Sequence, residues 1–215
     1  MIRPKTGTRS LCAVALFALV LSGCASGAGF LDGGVGGTGI GSATIQGNIA
    51  GDGVPLANVR VTARGTTISV LTDANGFFTL VGVDPGGVTV EFVRSDDPQP
   101  ATIDVLAASG SIVTLTDVHL VGATAMPERV ELSNIVGQLV EDAECNGSGG
   151  SFSIYDGEIS FTVVIDALTT IERNRRPVAC ADLSAGTQVK LRGRQVDQDI
   201  VATEVRVLRS GPIAN

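Results

Sequence analysis

The residues able to do covalent or acid–base chemistry are few: Cys12, Cys24, Cys145, Cys180 and a single histidine, His119. A thiolate is a nucleophile and a metal ligand, yet Cys145 and Cys180 are isolated in sequence and have no histidine partners to complete the usual four zinc ligands. His119 ends an alternating apolar stretch, with no serine or cysteine constellation that the sequence can place beside it. The adjacent carboxylates Asp96-Asp97 lie beside Pro98 and Pro100 and read as a solvated turn. Asp73-x-Asn75-Gly76 could open a calcium loop, but the bidentate Glu such a loop needs is missing at its offset, so a tight turn is the expectation. The Gly34–Gly39 run lacks the flanking strand, helix and Lys-Ser/Thr of a phosphate cradle. These residues point to no enzyme, no metal and no cofactor.

The N-terminus carries a different chemistry. Arg3, Lys5 and Arg9 precede the uncharged run Leu11–Leu21. That run is shorter than the roughly 18 residues a membrane span requires and matches an export signal. It ends in Leu21-Ser22-Gly23-Cys24, which resembles the lipobox of bacterial lipoproteins. The resemblance implies cleavage before Cys24, a diacylglyceryl thioether on that cysteine and an acylated amino group. Two acyl chains anchor stably, each buried methylene contributing about 0.8 kcal/mol. Ala25 rather than Asp follows the cysteine, which in Gram-negative lipoproteins implies the outer membrane ahead of the inner. Residues 1–23 are then the signal peptide, and the membrane is the first partner.

Without that leader the chain keeps 12 basic residues against 22 acidic ones, a net charge of about −10. An acidic surface does not attract a phosphate backbone, so nucleic acid is not an expected partner. Tyr155 is the only tyrosine and tryptophan is absent, leaving few rings for stacking against bases or sugars. Residues 24–41 combine the lipidated cysteine with a Gly-rich segment. Such a sequence acts as a coil reaching about 5 to 6 Å times the square root of its length, and reads as a tether.

Beyond the tether the apolar period becomes two. Ala43–Ile49, Val59–Arg64, Thr67–Thr72, Phe77–Leu80, Val88–Val93, Ile103–Val105 and Ser111–Leu120 alternate, with turn signals between them. Asn75-Gly76 between apolar strands predicts a hairpin. The expected fold of residues 42–121 is a seven-strand β-sandwich. Gly47, Val54–Val61, Thr72–Phe78 and Asp84-Pro85-Gly86 resemble the carboxypeptidase regulatory-like domain, a transthyretin-type sandwich, with Val88 where that family often has an aromatic. The resemblance implies a non-catalytic spacer, assembly platform or accessory module in which Asp73 and Asn75 make a turn and Phe78 or Phe77 fills the core.

Gly122–Val130, with Pro127, reads as a linker. Residues 131–210 then alternate again: Val130–Val140, a hairpin of Phe152–Tyr155 with Ile159–Val163 on Asp156-Gly157, Val163–Asp166, Leu168–Ile171, Thr187–Arg194 and Ile200–Val207. Short strands of this kind favour a small closed barrel, since closure removes exposed edges. Asp182–Gly193 followed by Ile200–Val205 resembles the signature of small OB-like barrels of bacterial exported proteins. Arg173, Arg175 and Arg176 form a basic loop, but without interleaved aromatics.

With Cys12 leaving in the leader and Cys24 lipidated, Cys145 and Cys180 remain as an even pair in an oxidising compartment, and a disulfide is expected. That bond would bring Glu141, Asp142 and Glu144 towards the Arg173–Arg176 loop. The chain is thus expected to be all-β, a sandwich followed by an OB-like barrel, anchored in the cell envelope and contacting envelope proteins or glycans. A purely structural spacer and an enzyme with an unrecognised site are the alternatives. Its oligomeric state and ligand-binding residues have no sequence signal.

Overall fold

Alternation of buried and exposed side chains along nearly every extended segment dictates sheet, and the computed structural model, which describes residues 41–147 and 149–210, is all-β apart from one short 3-10 turn. Cys24, residues 1–23 expected as a signal peptide, and most of the segment expected as a tether lie outside the described residues. No helix among the described residues is long and apolar enough to cross a membrane.

The first half contains β1 (Ala43–Gly51), β2 (Val54–Pro55), β3 (Arg60–Ala63), β4 (Ser69–Leu71), β5 (Phe77–Val83), β6 (Gly86–Val93), β7 (Ala101–Ala107), β8 (Ile112–Val121) and β9 (Thr124–Met126). One layer has the order β4-β3-β6-β7, and the other β5-β1-β8, so seven main strands make the sandwich. The inward rows meet in a core of Ile45, Ile49, Val59, Val61, Leu80, Val90, Phe92, Val113 and Leu115. Phe78 is buried and stands edge-on to Phe92 with ring centroids 5.7 Å apart, whereas Phe77 is 56% exposed. Glycine is required opposite that ring: a methyl at Gly47 would lie 3.1 Å from Phe78 Cε1 and 3.0 Å from Leu115 Cβ.

The Asn75-Gly76 signal marks a real turn but not a hairpin. Asp73 Oδ1 accepts from the backbone N–H of Asn75 and Phe77. Thr72 just before it is buried, donating to Leu56 O and accepting from Val59 N. These bonds hold the chain against the start of β3, so β4 pairs with β3 and β5 crosses to β1 in the other layer. The turn chemistry was readable; the sheet each strand joins depends on a buried threonine sixteen residues from its partner.

The second half contains β10 (Arg129–Leu139), β11 (Glu144–Asn146), β12 (Gly149–Tyr155), β13 (Ser160–Ile165), β14 (Thr170–Arg173), β15 (Arg176–Pro177), the 3-10 turn Cys180–Asp182, β16 (Gln188–Val196) and β17 (Asp199–Arg209). Pairing runs β10-β12-β13-β17-β16 and returns to β10, with β13 and β17 parallel, so five strands close a small barrel. Leu132, Ile135, Leu139, Ile154, Val163, Leu191, Ile200 and Val205 fill it.

The segment expected as a linker is largely strand. β8 and β9 form a hairpin over Gly122-Ala123, and β10 begins at Arg129 by pairing with β8 before it pairs with β16. β10 is therefore common to the sandwich and the barrel, and the sheet β5-β1-β8-β10-β16-β17 runs unbroken from one to the other. Side-chain bonds add to this seam. Asp156 is buried, and its Oδ2 accepts from Ser109 N at 2.7 Å while Oδ1 accepts from Glu158 N and Ile159 N. Gln195 Oε1 accepts from Leu106 N, and Asn134 donates to Gly110 O. Ser109 Oγ in turn binds both backbone groups of Gly41, where the described chain begins.

Candidate functional site

Registers along the shared sheet set its outward face. Leu80, Ile45, Val113, Leu132, Gly193 and Ala202 form one inward row across six strands, so the next row, Thr79, Gln46, Thr114, Glu131, Arg194 and Val201, points out. Where sandwich becomes barrel this face is concave. A groove of about 660 Å3 is floored by Thr114, Glu131, Ser133, Arg192, Arg194 and Thr203 and flanked by Arg129 and the Asp166–Leu168 loop.

Two β-bulges shape the groove. Between Leu132 and Ile135, β10 fits two residues opposite Arg192, with Asn134 at φ 61°. Between Glu204 and Ala202, β17 inserts Thr203 opposite the same part of β16, and its hydroxyl donates to Arg192 O. A bulge bends its strand and re-aims side chains. Glycine is needed beside the second one, since a methyl at Gly193 would meet Val201 O and lie 2.9 Å from Ala202 Cα.

Charge is partly compensated here. Arg129 donates to Glu131 at 2.9 Å, and that hydrogen bond raises the pKa of the guanidinium. Arg206 pairs with Glu204 at 2.7 Å. A second, smaller groove lies on the far side of Arg192, lined by Asn134, Lys190, Glu204 and Arg206.

The sequence-selected residues fall elsewhere. Cys145 and Cys180 form a disulfide with Cα atoms 6.0 Å apart, tying β11 to the 3-10 turn. The charge pairing expected from it does not form: Glu141 accepts from Ser153, and Asp142 from Ala185 N. Arg173 and Arg176 pair through their backbones in their own hairpin, β14–β15, which runs along β17. His119 is exposed on β8, opposite Ala50 and Met126, which offer it no base or nucleophile. Asp96 is held by Arg94, whose hydrogen bond lowers its pKa, and Asp97 accepts from Gln99 N, so this carboxylate pair shapes a turn. Among the described residues no group of three or more His, Cys, Asp and Glu is arranged to hold a metal ion.

No family model matches the chain, and no curated protein matches it. A solved structure described as a "putative carbohydrate binding protein" from Bacteroides uniformis ATCC 8492 is similar at 12% identity, covering 79% of this chain and 99% of that one, with a TM-score of 0.29. That value does not establish a common fold.

The groove residues had no motif to announce them. Their one sequence signal is the alternation Lys190-x-Arg192-x-Arg194 within an acidic chain. That pattern reads first as the solvated face of a strand. Only the registers of β10 and β17 bring Glu131, Ser133 and Thr203 beside it.

Proposed function

We propose that this chain is a lipid-anchored, non-catalytic binding module of the bacterial cell envelope. Cys24 carries the anchor, the Gly-rich segment after it is the tether, and the sandwich and barrel present a binding surface to envelope proteins or glycans. The observation that carries the reading is the polar groove on the sheet common to both halves, opened by bulges on either side of Arg192. Bulges and a strand glycine also bend a sheet to close a barrel, so what favours binding over a bare spacer is the recessed lining of hydroxyls and charged groups beside them. Groove residues contribute hydrogen-bond donors, acceptors and charge, without the nucleophile and base pairing that group transfer needs.

Affinity capture from solubilised envelopes tests this. A binding module recovers a stoichiometric partner or glycan, and does so less well when Thr114→Trp, on the outward row, fills the groove. Recovery of nothing stoichiometric would leave the spacer in its place.

A further inference from the structure

Lys190, Arg192 and Arg194 alternate on the outward face of β16, all exposed. None of the three side chains has a hydrogen bond or ion pair among the described residues, whereas the neighbouring Arg129 and Arg206 are matched by Glu131 and Glu204. Alternate strand residues lie about 6.6 to 6.8 Å apart, so the three cations fall within about 13 Å. Arg192 and Arg194 stand opposite Glu204 and Glu131, which Arg206 and Arg129 already engage, so five cations meet the three carboxylates of Glu131, Glu204 and Asp166 on this face. The whole chain has a net charge of −7. This face is therefore where an anion is attracted to a protein that elsewhere repels it.

The shape and lining narrow the class. The site is recessed, unlike a surface that lies flat on a bilayer. It lacks an aromatic side chain, so it has neither the central anchor of a typical protein interface nor a platform for stacking sugar rings, and recognition rests on hydrogen bonds and charge. What it offers beside the arginines is hydroxyls on Thr114, Ser133 and Thr203 and carboxylates on Glu131 and Asp166, all suited to sugar hydroxyls. We propose that the groove binds an acidic oligosaccharide. The forked guanidinium groups of Arg192 and Arg194 hold its carboxylate or phosphate groups bidentately, and Glu131 and Thr203 take hydroxyls of the same chain. This rests on the binding-module reading and gives it a ligand class.

Titration calorimetry of the purified full-length protein with hexagalacturonate tests the proposal. Its methyl ester, a hexaglutamate peptide, inorganic phosphate and phosphatidylglycerol vesicles are the comparison probes. The expected result is salt-sensitive binding of hexagalacturonate that weakens tenfold or more in Arg192→Ala/Arg194→Ala. It should stay unchanged in Arg60→Ala on the opposite layer and be lost on esterification. Arg192→Gln alone, with circular dichroism of both variants, separates lost charge from lost fold. No binding of hexagalacturonate, equal binding of the ester, undiminished binding by the folded double variant, or binding of vesicles, peptide or inorganic phosphate alone overturns it. Such a failure differs from failure of the module reading, in which envelopes yield no partner of any class.

Discussion

Asp156 concentrates the seam between the two halves in one side chain. It lies buried with three backbone N–H groups on its two oxygens, two from its own turn and one from Ser109 across the seam. Removing an acceptor from buried donors costs their full desolvation. Asp156→Ala should therefore lower unfolding free energy by about 3 kcal/mol in urea titration, and Asp156→Asn, which keeps one oxygen, by less. A loss under about 1 kcal/mol would show the seam to be held by packing alone. Arg175 invites the opposite change: Asn174 and Arg175 occupy the β14–β15 turn at φ 53° and 63°, a conformation that Gly adopts freely and other residues do not. Arg175→Gly should raise stability by about 0.5 to 1 kcal/mol in the same titration. The sequence showed Asp156-Gly157 as a turn, but not the bond to Ser109, because a contact 47 residues away leaves no trace in local pattern.

At the scale of elements, period-two alternation located nearly every long strand, since one face of each is buried against a core. It could not assign partners. The Asn75-Gly76 turn was legible and its cross-layer path was not, and β10 read as the start of a second domain although its first residues pair with β8. The disulfide was legible by parity of cysteines. Its separation of 35 residues predicts a stabilisation of about 3 to 4 kcal/mol from loop closure. Cys145→Ser/Cys180→Ser should lose that amount. Hydrogen exchange should quicken first in β11 and the 3-10 turn, while the sandwich core stays protected.

For the whole molecule, the shared sheet has a thermodynamic consequence. β10 cannot leave the barrel without exposing Leu132, which continues the buried row of the sandwich. Calorimetry should show one transition, with the calorimetric and van't Hoff enthalpies in a ratio of about 1; two separated transitions would mean two independent domains. All-β class, sandwich and barrel followed from sequence pattern, while the groove did not, because it is made by register between strands distant in the chain. Anchoring by Cys24 is what would tie that groove to the envelope. Fractionation of cells expressing Cys24→Ser tests the tie most directly: the variant should leave the membrane fraction while its circular dichroism keeps the β spectrum, and a folded variant still recovered with membranes would contradict a role built on the anchor.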